Sequence, residues 1–347
     1  IPEAERGDMI AAYRKVLTGN DTARQIEAAR AWSVWEGETI TLLPDPSNSA
    51  KHADDHFALA FARLENHYFT HQCWLEEGQL LREAHKLAGI PGVIVHGRYD
   101  MPCPARYAYA LHQAWPDSDF HLIEGAGHAW SEPGILDQLL ADFITTGITN
   151  FPAAHYSLII SDHGASWPGV GGDESSDGNG LGLDELQAGI AGGLEGAGVG
   201  QLDLLGFDAC LMATYEVASA LAPLAHRMVA SQELEPGHGW NYGVLQMLND
   251  DPSTDVDALG AALIDGFQSQ ATEQETVADI TLALIDLDQM PALDAAMADF
   301  SSALADRAGA LGPVIGRTRA STLSFGRSPD PSSDSNMVDL GMLVSEI

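Results

Sequence analysis

Over the first ninety residues the apolar positions recur at helical spacing. Between Thr22 and Trp35, Ala23, Ile26, Ala29 and Trp32 fall roughly on one face, and Phe57-Ala58-Leu59-Ala60-Phe61-Ala62-Arg63-Leu64 reads as a more fully buried helix. The period then shortens. Gly92 to Gly97 is a short apolar run of the kind that forms a buried strand, with an exit loop ending on Asp100; a helix follows through Tyr107 to Trp115. Phe120 to Ile123 is a second such run, and the chain from it ends on Gly125-Ala126-Gly127-His128. Leu139 to Ile144 reads as a helix, closed by Asn150-Phe151-Pro152. Strand-like runs then alternate with helical stretches: Tyr156 to Ser161, a helix opening at Leu183-Asp184-Glu185, Leu202 to Phe207, a helix from Thr214, Met228 to Ser231, and Ile280 to Leu287 before an Ala-rich helix. Such alternation predicts an α/β chain with a parallel sheet.

Length and charge narrow the classes. The 347 residues have room for two domains and a sizeable core. No apolar run approaches the roughly 18 residues of a membrane span. The start, Ile1-Pro2-Glu3-Ala4-Glu5-Arg6, has neither an initiator Met nor a signal-peptide apolar region and reads like the inside of a longer chain. The formal net charge is −34, with 21 acidic and 11 basic side chains in 1–147 and 29 and 5 in 148–347. That surface argues against nucleic acid or an anionic membrane as partner and is compatible with cationic peptides or with a merely solubilising role. Cys73, Cys103 and Cys210 show no paired spacing, so no disulfide framework, zinc site or other metal or cofactor is expected. The run Asp173-Glu174-Ser175-Ser176-Asp177-Gly178, with Asp184 at the twelfth position, has part of a calcium-loop pattern; Gly and Pro precede it where a helix is needed, so a solvated loop is the expectation.

Two places carry candidate chemistry. Two apolar runs end abruptly on reactive residues, Leu158-Ile159-Ile160-Ser161-Asp162-His163-Gly164 and Leu202-Asp203-Leu204-Leu205-Gly206-Phe207-Asp208-Ala209-Cys210. Working groups in open α/β sheets sit just past the carboxyl ends of strands. An imidazole beside a thiol can supply the thiolate that attacks a carbonyl, so Cys210 and His163 form a plausible nucleophile and base; the alternative is a buried structural Cys and a turn His. Earlier in the chain, the order strand–Asp100, helix, strand–His128 is how α/β-hydrolases finish a triad, with Asp100 orienting His128 as general base. A loop Asp and a turn His are the alternative there.

The first part of the chain resembles the proline iminopeptidases. The resemblance rests on Ala31-Trp32-Ser33-Val34-Trp35-Glu36, Ala62-Arg63-Leu64-Glu65-Asn66-His67-Tyr68-Phe69, Val95-His96-Gly97-Arg98-Tyr99-Asp100 and Gly125-Ala126-Gly127-His128, and it covers nearly all of 1–145. It implies a helical cap over 1–85 and the closing, triad-bearing part of an α/β-hydrolase sheet over 86–147. It also implies that Glu36 and Glu65 hold the free α-amino group of a substrate, since a buried ammonium needs fixed anions. The family's nucleophile stands on a G-x-S-x-G elbow, and none occurs in these residues; Gly164-Ala165-Ser166-Trp167-Pro168 has Pro in place of the second Gly. An acid and a base without a nucleophile form no acyl-enzyme.

The second part resembles the clostripain-like cysteine peptidases, relatives of the caspase and gingipain fold. Phe151-Pro152-Ala153-Ala154-His155-Tyr156, Asp162-His163-Gly164, Gly206-Phe207-Asp208-Ala209-Cys210-Leu211-Met212, Ala230-Ser231-Gln232-Glu233 with Pro236-Gly237-His238-Gly239-Trp240, and Val338-Asp339-Leu340 carry the likeness over most of 148–345, within a region expected to span 148–347. It implies Cys210 as nucleophile and His163 as base or proton donor, with the oxyanion held by the backbone N–H groups of Gly164 and Cys210. It further implies Asp208 as the acid that selects Arg or Lys before the scissile bond. The first strands of that family's domain are absent, which leaves sheet edges open.

The expected architecture is therefore a helical cap and incomplete α/β-hydrolase sheet followed by an incomplete caspase-like parallel sheet, a fragment or chimera joined near Leu140 to Ile144. The expected function is peptide hydrolysis by a clostripain-like cysteine endopeptidase. The alternatives are a prolyl aminopeptidase fragment without its Ser, and an inactive fusion. The partner is a peptide, with no nucleic acid, no membrane and an open oligomeric state. The compartment is cytoplasmic if the iminopeptidase ancestry dominates, exported if the clostripain-like one does.

Overall fold

Aspartates set where the first helices begin. In the computed structural model, which describes all residues except Pro133, 174–178 and 327–336, Asp8, Asp21, Asp45 and Asp54 each accept backbone N–H groups of the first turn that follows. They start α1 (Met9–Leu17), α2 (Thr22–Thr39), α3 (Pro46–Ala53) and α4 (Asp55–Thr70). The buried face of α2 is Gln25, Ala29, Ser33 and Gly37, rather than the expected Ala23, Ile26, Ala29 and Trp32; Ala23 is exposed. Small residues win because the helices approach closely: Ala29 packs with Ala58, Ala62 and Leu17, and Gly37 lies against the His52 ring. The Ser33 hydroxyl hydrogen-bonds His52 Nδ1 at 2.9 Å, so its burial leaves no hydroxyl unpaired.

After α5 (Gln79–Glu83) comes a single β–α–β passage. Strands β1 (Gly92–Gly97) and β2 (Ser118–Ile123) pair in parallel from Gly92 opposite Ser118 to Gly97 opposite Ile123, with α6 (Arg106–Ala114) between them. The residues Gly125 to His128 are loop. A side chain at Gly97 would run into the backbone of Ala126 and Gly127, which brings the ends of the two strands together.

The described chain divides into two units, one formed mainly by Ile1–Asp142 and the other by Phe143–Gly172 with Gly180–Ile347; the division falls within α7 (Ile135–Asn150). In the second unit four strands form an open sheet in the order β3 (Ser157–Ser161), β6 (Leu202–Asp208), β7 (Ala225–Ala230), β8 (Ala283–Asp286). Between β3 and β6 lie the small pair β4 (Val170–Asp173) and β5 (Asn179–Leu181), then α8 (Leu183–Ala197). The strands β3, β6 and β7 are parallel, as the alternating pattern predicts, but β8 is antiparallel to β7. The antiparallel register sets Arg227 opposite Asp286, and its guanidinium reaches that carboxylate at 2.8 Å; antiparallel edge strands on parallel sheets are common.

Alternation along β6 assigns its faces. Leu204 packs with Val229, Trp240 and the buried face of α11 (Val256–Glu273), namely Leu259, Leu263 and Phe267. Leu205 and Phe207, fully buried, point to the opposite face. The helices α8 and α9 (Tyr215–Leu221) bury Leu186, Ile190, Val217 and Leu221. The remaining elements are α10 (Gln246–Asp250), α12 (Met290–Ala305), α13 (Ala308–Ser321), the pair β9 (Ser324–Phe325) and β10 (Met337–Val338), and α14 (Leu340–Glu346). The core of the calcium-like run and the polar stretch from Ser328 to Ser335 lie outside the described residues. No helix among the described residues is long and apolar enough to cross a membrane.

Truncating a fully buried side chain leaves a cavity that this sheet-and-helix layer can only partly close. Leu263→Ala is expected to cost about 2–5 kcal/mol of stability, measured by urea denaturation, whereas Leu43→Ala at an exposed position stays within about 0.5 kcal/mol.

Candidate active site

The register of β3 against β6 builds the site. Ser161, the last residue of β3, pairs with Asp208, the last of β6, and the Asp162 N–H donates to the Asp208 carbonyl at 3.3 Å. His163 and Cys210, each two residues past the end of its strand, thus leave neighbouring strands at the same end. A tight hairpin follows His163: Gly171 N–H donates to His163 C=O at 2.7 Å and Ala165 N–H to Gly169 C=O at 3.0 Å, with Gly164 opposite Val170. Those bonds flank Gly164, so its own N–H and C=O point away from the hairpin partner. Only glycine fits, because a Cβ there would fall onto the Cys210 backbone. Among the described residues, neither the Gly164 N–H nor the Cys210 N–H donates to a protein acceptor. After Cys210 the backbone turns sharply through Leu211, at φ 63°, a conformation that a side chain adopts only under local constraint.

His163 and Cys210 line one pocket of about 250 Å3 with Ser161, Asp162, Asp208 and Glu235. No hydrogen bond joins imidazole to thiol. Instead the Cys210 sulfur accepts the Glu235 N–H at 3.2 Å. Ser166 is buried with its hydroxyl bound to Thr214 Oγ1 at 2.9 Å, an environment unlike an exposed nucleophile's.

The pocket floor is acidic. Asp208 is 6% exposed, and its Oδ2 accepts the Trp240 N–H at 3.1 Å, the Tyr242 hydroxyl at 2.7 Å and the Ser161 hydroxyl at 3.4 Å. Burial, followed by the bond to Asp208, pushes the Tyr242 hydroxyl well above its ordinary range. Burial also pushes the Glu235 carboxyl up to about 9; the Trp240 indole N–H opposes this and the charge of Asp208 adds to it. Glu235 Oε2 is buried without a hydrogen-bond partner among the described residues. At neutral pH Glu235 therefore carries a proton. Neither it nor Tyr242 was expected as a site residue. Glu235 in sequence is one acid among fifty, beside the Pro236-Gly237-His238-Gly239-Trp240 stretch, and nothing local betrays its burial.

In the first unit Asp100 and His128 meet. Asp100 Oδ2 lies 2.9 Å from His128 Nδ1 and 3.2 Å from His96 Nε2, and Oδ1 accepts the Cys103 N–H at 2.7 Å. Glu65 accepts the Trp32 indole N–H at 2.5 Å. Burial raises the Glu36 carboxyl, and the charges of Glu65 and Asp100 raise it further against the pull of His128, so the carboxylates expected to hold an amine do share one neighbourhood.

Comparison with known proteins reaches both parts. The model of the clostripain family, Peptidase C11, matches residues 117–343. The chain belongs to the clostripain family. The match begins within the part that also resembles proline iminopeptidases. The proline iminopeptidase of Xylella fastidiosa is 51% identical over 141 residues, 40% of this chain and 45% of that protein; that of Arabidopsis thaliana is 44% identical over 142 residues, 40% and 37%. The chain thus spans less than half the length of these curated relatives. Among solved structures, a secreted C11 cysteine protease of Bacteroides thetaiotaomicron in complex with an irreversible peptide inhibitor aligns over 60% of this chain and 56% of its own, at 21% identity and TM-score 0.45. An inactive zymogen C11 protease of Parabacteroides distasonis aligns over 74% and 80%, at 13% identity and TM-score 0.38.

The proton on Glu235 couples this site to stability. A carboxyl raised on folding contributes stability that is fully present below its unfolded value of about 4.5 and is lost as pH rises toward 9. Glu235→Gln is expected to flatten the fall in unfolding free energy between pH 5 and pH 8 by up to about 1.4 kcal/mol per pH unit, read by urea denaturation across that range. An unchanged slope would place the proton elsewhere.

Proposed function

We propose that the chain is a clostripain-like cysteine endopeptidase that cleaves after Arg or Lys, with residues 148–347 forming a caspase-like α/β region. The observation that carries this reading is the seating of Gly164 on the Cys210 backbone. It supports the reading because His163, Cys210 and Asp208 line one pocket, beside two N–H groups that meet no protein acceptor among the described residues. Residues 1–85 and 86–147 correspond in this reading to the cap and closing part of a proline iminopeptidase-like hydrolase.

The chemistry follows from the groups present. The Cys210 sulfur, as thiolate, attacks the scissile carbonyl carbon, and the charge that develops on oxygen falls to the N–H groups of Gly164 and Cys210. His163 passes a proton to the departing amine, which leaves a thioester on Cys210. His163 then takes a proton from water, and hydroxide attack releases the acid and regenerates the thiol. Asp208, buried and fixed by three donors, attracts the guanidinium or ammonium of the residue before the scissile bond. Burial of an anion with fixed partners makes it a strong selector, since a neutral side chain leaves its charge unpaired.

A second reading rests on the 2.9 Å contact of Asp100 with His128 near Glu36 and Glu65, the acid, base and amine-holding groups of a prolyl aminopeptidase. No G-x-S-x-G elbow occurs within these 347 residues, and an inactive fusion is the outcome if the first site is also silent.

The test is turnover of a blocked peptide with Arg before a fluorogenic leaving group. Cys210→Ala is expected to abolish it, and Asp208→Asn to lower kcat/KM at least about tenfold, which is 1.4 kcal/mol of lost recognition. Turnover that survives Cys210→Ala would overturn the assignment, as would a silent parent chain whose second unit is folded.

A further inference from the structure

The first unit holds a cluster that the peptidase reading does not use. We propose that Asp100, Cys103 and His128 form a binding site for a borderline-soft divalent metal ion, Zn2+ foremost. Cysteine spacing along the chain points to no such site; the β1 exit loop and the loop after β2 assemble it in space.

The donor set is chemically mixed. One ligand atom each from a carboxylate, a thiol and an imidazole lie within 4.8 Å of one another. Oxygen alone would suit Ca2+ or Mg2+, whereas sulfur with nitrogen selects Zn2+ and its soft neighbours. The site is also braced. Asp100 is buried, and its Oδ1 is fixed by the Cys103 N–H at 2.7 Å. His96, itself held through Nε2 by the Cys103 carbonyl at 2.9 Å, lies 3.2 Å from Asp100 Oδ2 as a second brace. The His128 backbone N–H donates to Ile40 C=O at 2.8 Å, which anchors that ligand from the other side.

The dimensions are near those required. Ligand atoms of a tetrahedral zinc site stand roughly 3.3 Å apart for N and O, from bonds of about 2.0 Å. Asp100 Oδ2 and His128 Nδ1 are 2.9 Å apart, so the ion takes the place of the proton between them after a small opening. The Cys103 thiol, on an exposed residue, closes the remaining distance by rotation. On binding, the thiol gives its proton to solvent and a Zn–S bond forms, with no change of oxidation state. Three protein ligands leave the fourth position to water.

The experiment is titration of the purified full chain with Zn2+ by calorimetry, together with mass mapping of iodoacetamide-labelled thiols with and without the ion. One Zn2+ per chain is expected, retained by Cys210→Ala and Cys73→Ser and weakened at least about tenfold in both Cys103→Ser and His128→Ala. In the parent chain Zn2+ is expected to slow labelling of Cys103 and leave Cys73 unchanged, a readout that needs no variant to fold. Binding that survives Cys103→Ser, or is lost in Cys210→Ala instead, would overturn the proposal. So would a parent chain that takes up no Zn2+, or whose Cys103 labels at an unchanged rate in its presence.

Discussion

The close approach of Gly164 to the Cys210 backbone is the constraint on which the second unit's chemistry depends. It requires that β3 and β6 run parallel in one register, with Ser161 opposite Asp208, and that the residue after His163 have no side chain. A one-residue slip of β3 would turn its apolar positions to the wrong face and carry His163 away from Cys210. The same register points Asp208 to the face of β6 shared by Leu204 and Trp240, where donors from Trp240 and Tyr242 wait for it. Core packing and site assembly are thus linked: the helix α11 that buries Leu204 and Trp240 also holds, through Gln270, the His238 and Gly239 carbonyls of the loop that follows Glu235.

Two acids in a single pocket would repel if both were charged. The structure resolves this by burying Glu235 deeply enough to keep its proton, while Asp208 receives three donors. A guanidinium has donors enough for both carboxyls, and an ammonium fewer, so under the proposed function such a floor would distinguish charged from neutral side chains more sharply than Arg from Lys.

Much of this was legible in the sequence. The apolar runs that stop at Asp162-His163-Gly164 and at Asp208-Ala209-Cys210 have strand length and strand composition, and parallel strands deliver their last residues to one end of a sheet. The order of Asp100 and His128 about a helix likewise foretold their meeting, because β1–α6–β2 is a short crossover unit whose parallel strands bring their exits together. What stayed hidden depends on distant packing. Ala23 and Gln25 lie two positions apart on α2, and only the close approach of α4 decides that the Gln is inside. The direction of β8 follows from the route of the chain through α11, which no local pattern encodes. Glu235 and Cys103 read as ordinary loop residues until the fold sets one against Asp208 and the other against His128.

In the proposed function Cys210 is the nucleophile, served by a cation-selecting pocket. The most direct measurement is mapping, by mass spectrometry, of the residue alkylated by a peptidyl-arginine chloromethyl ketone, with a peptidyl-leucine analogue alongside. A single adduct on Cys210 is expected, formed much faster from the arginine reagent and suppressed by a competing arginine peptide. Equal labelling of Cys73, Cys103 and Cys210, or equal rates for the two reagents, would contradict it.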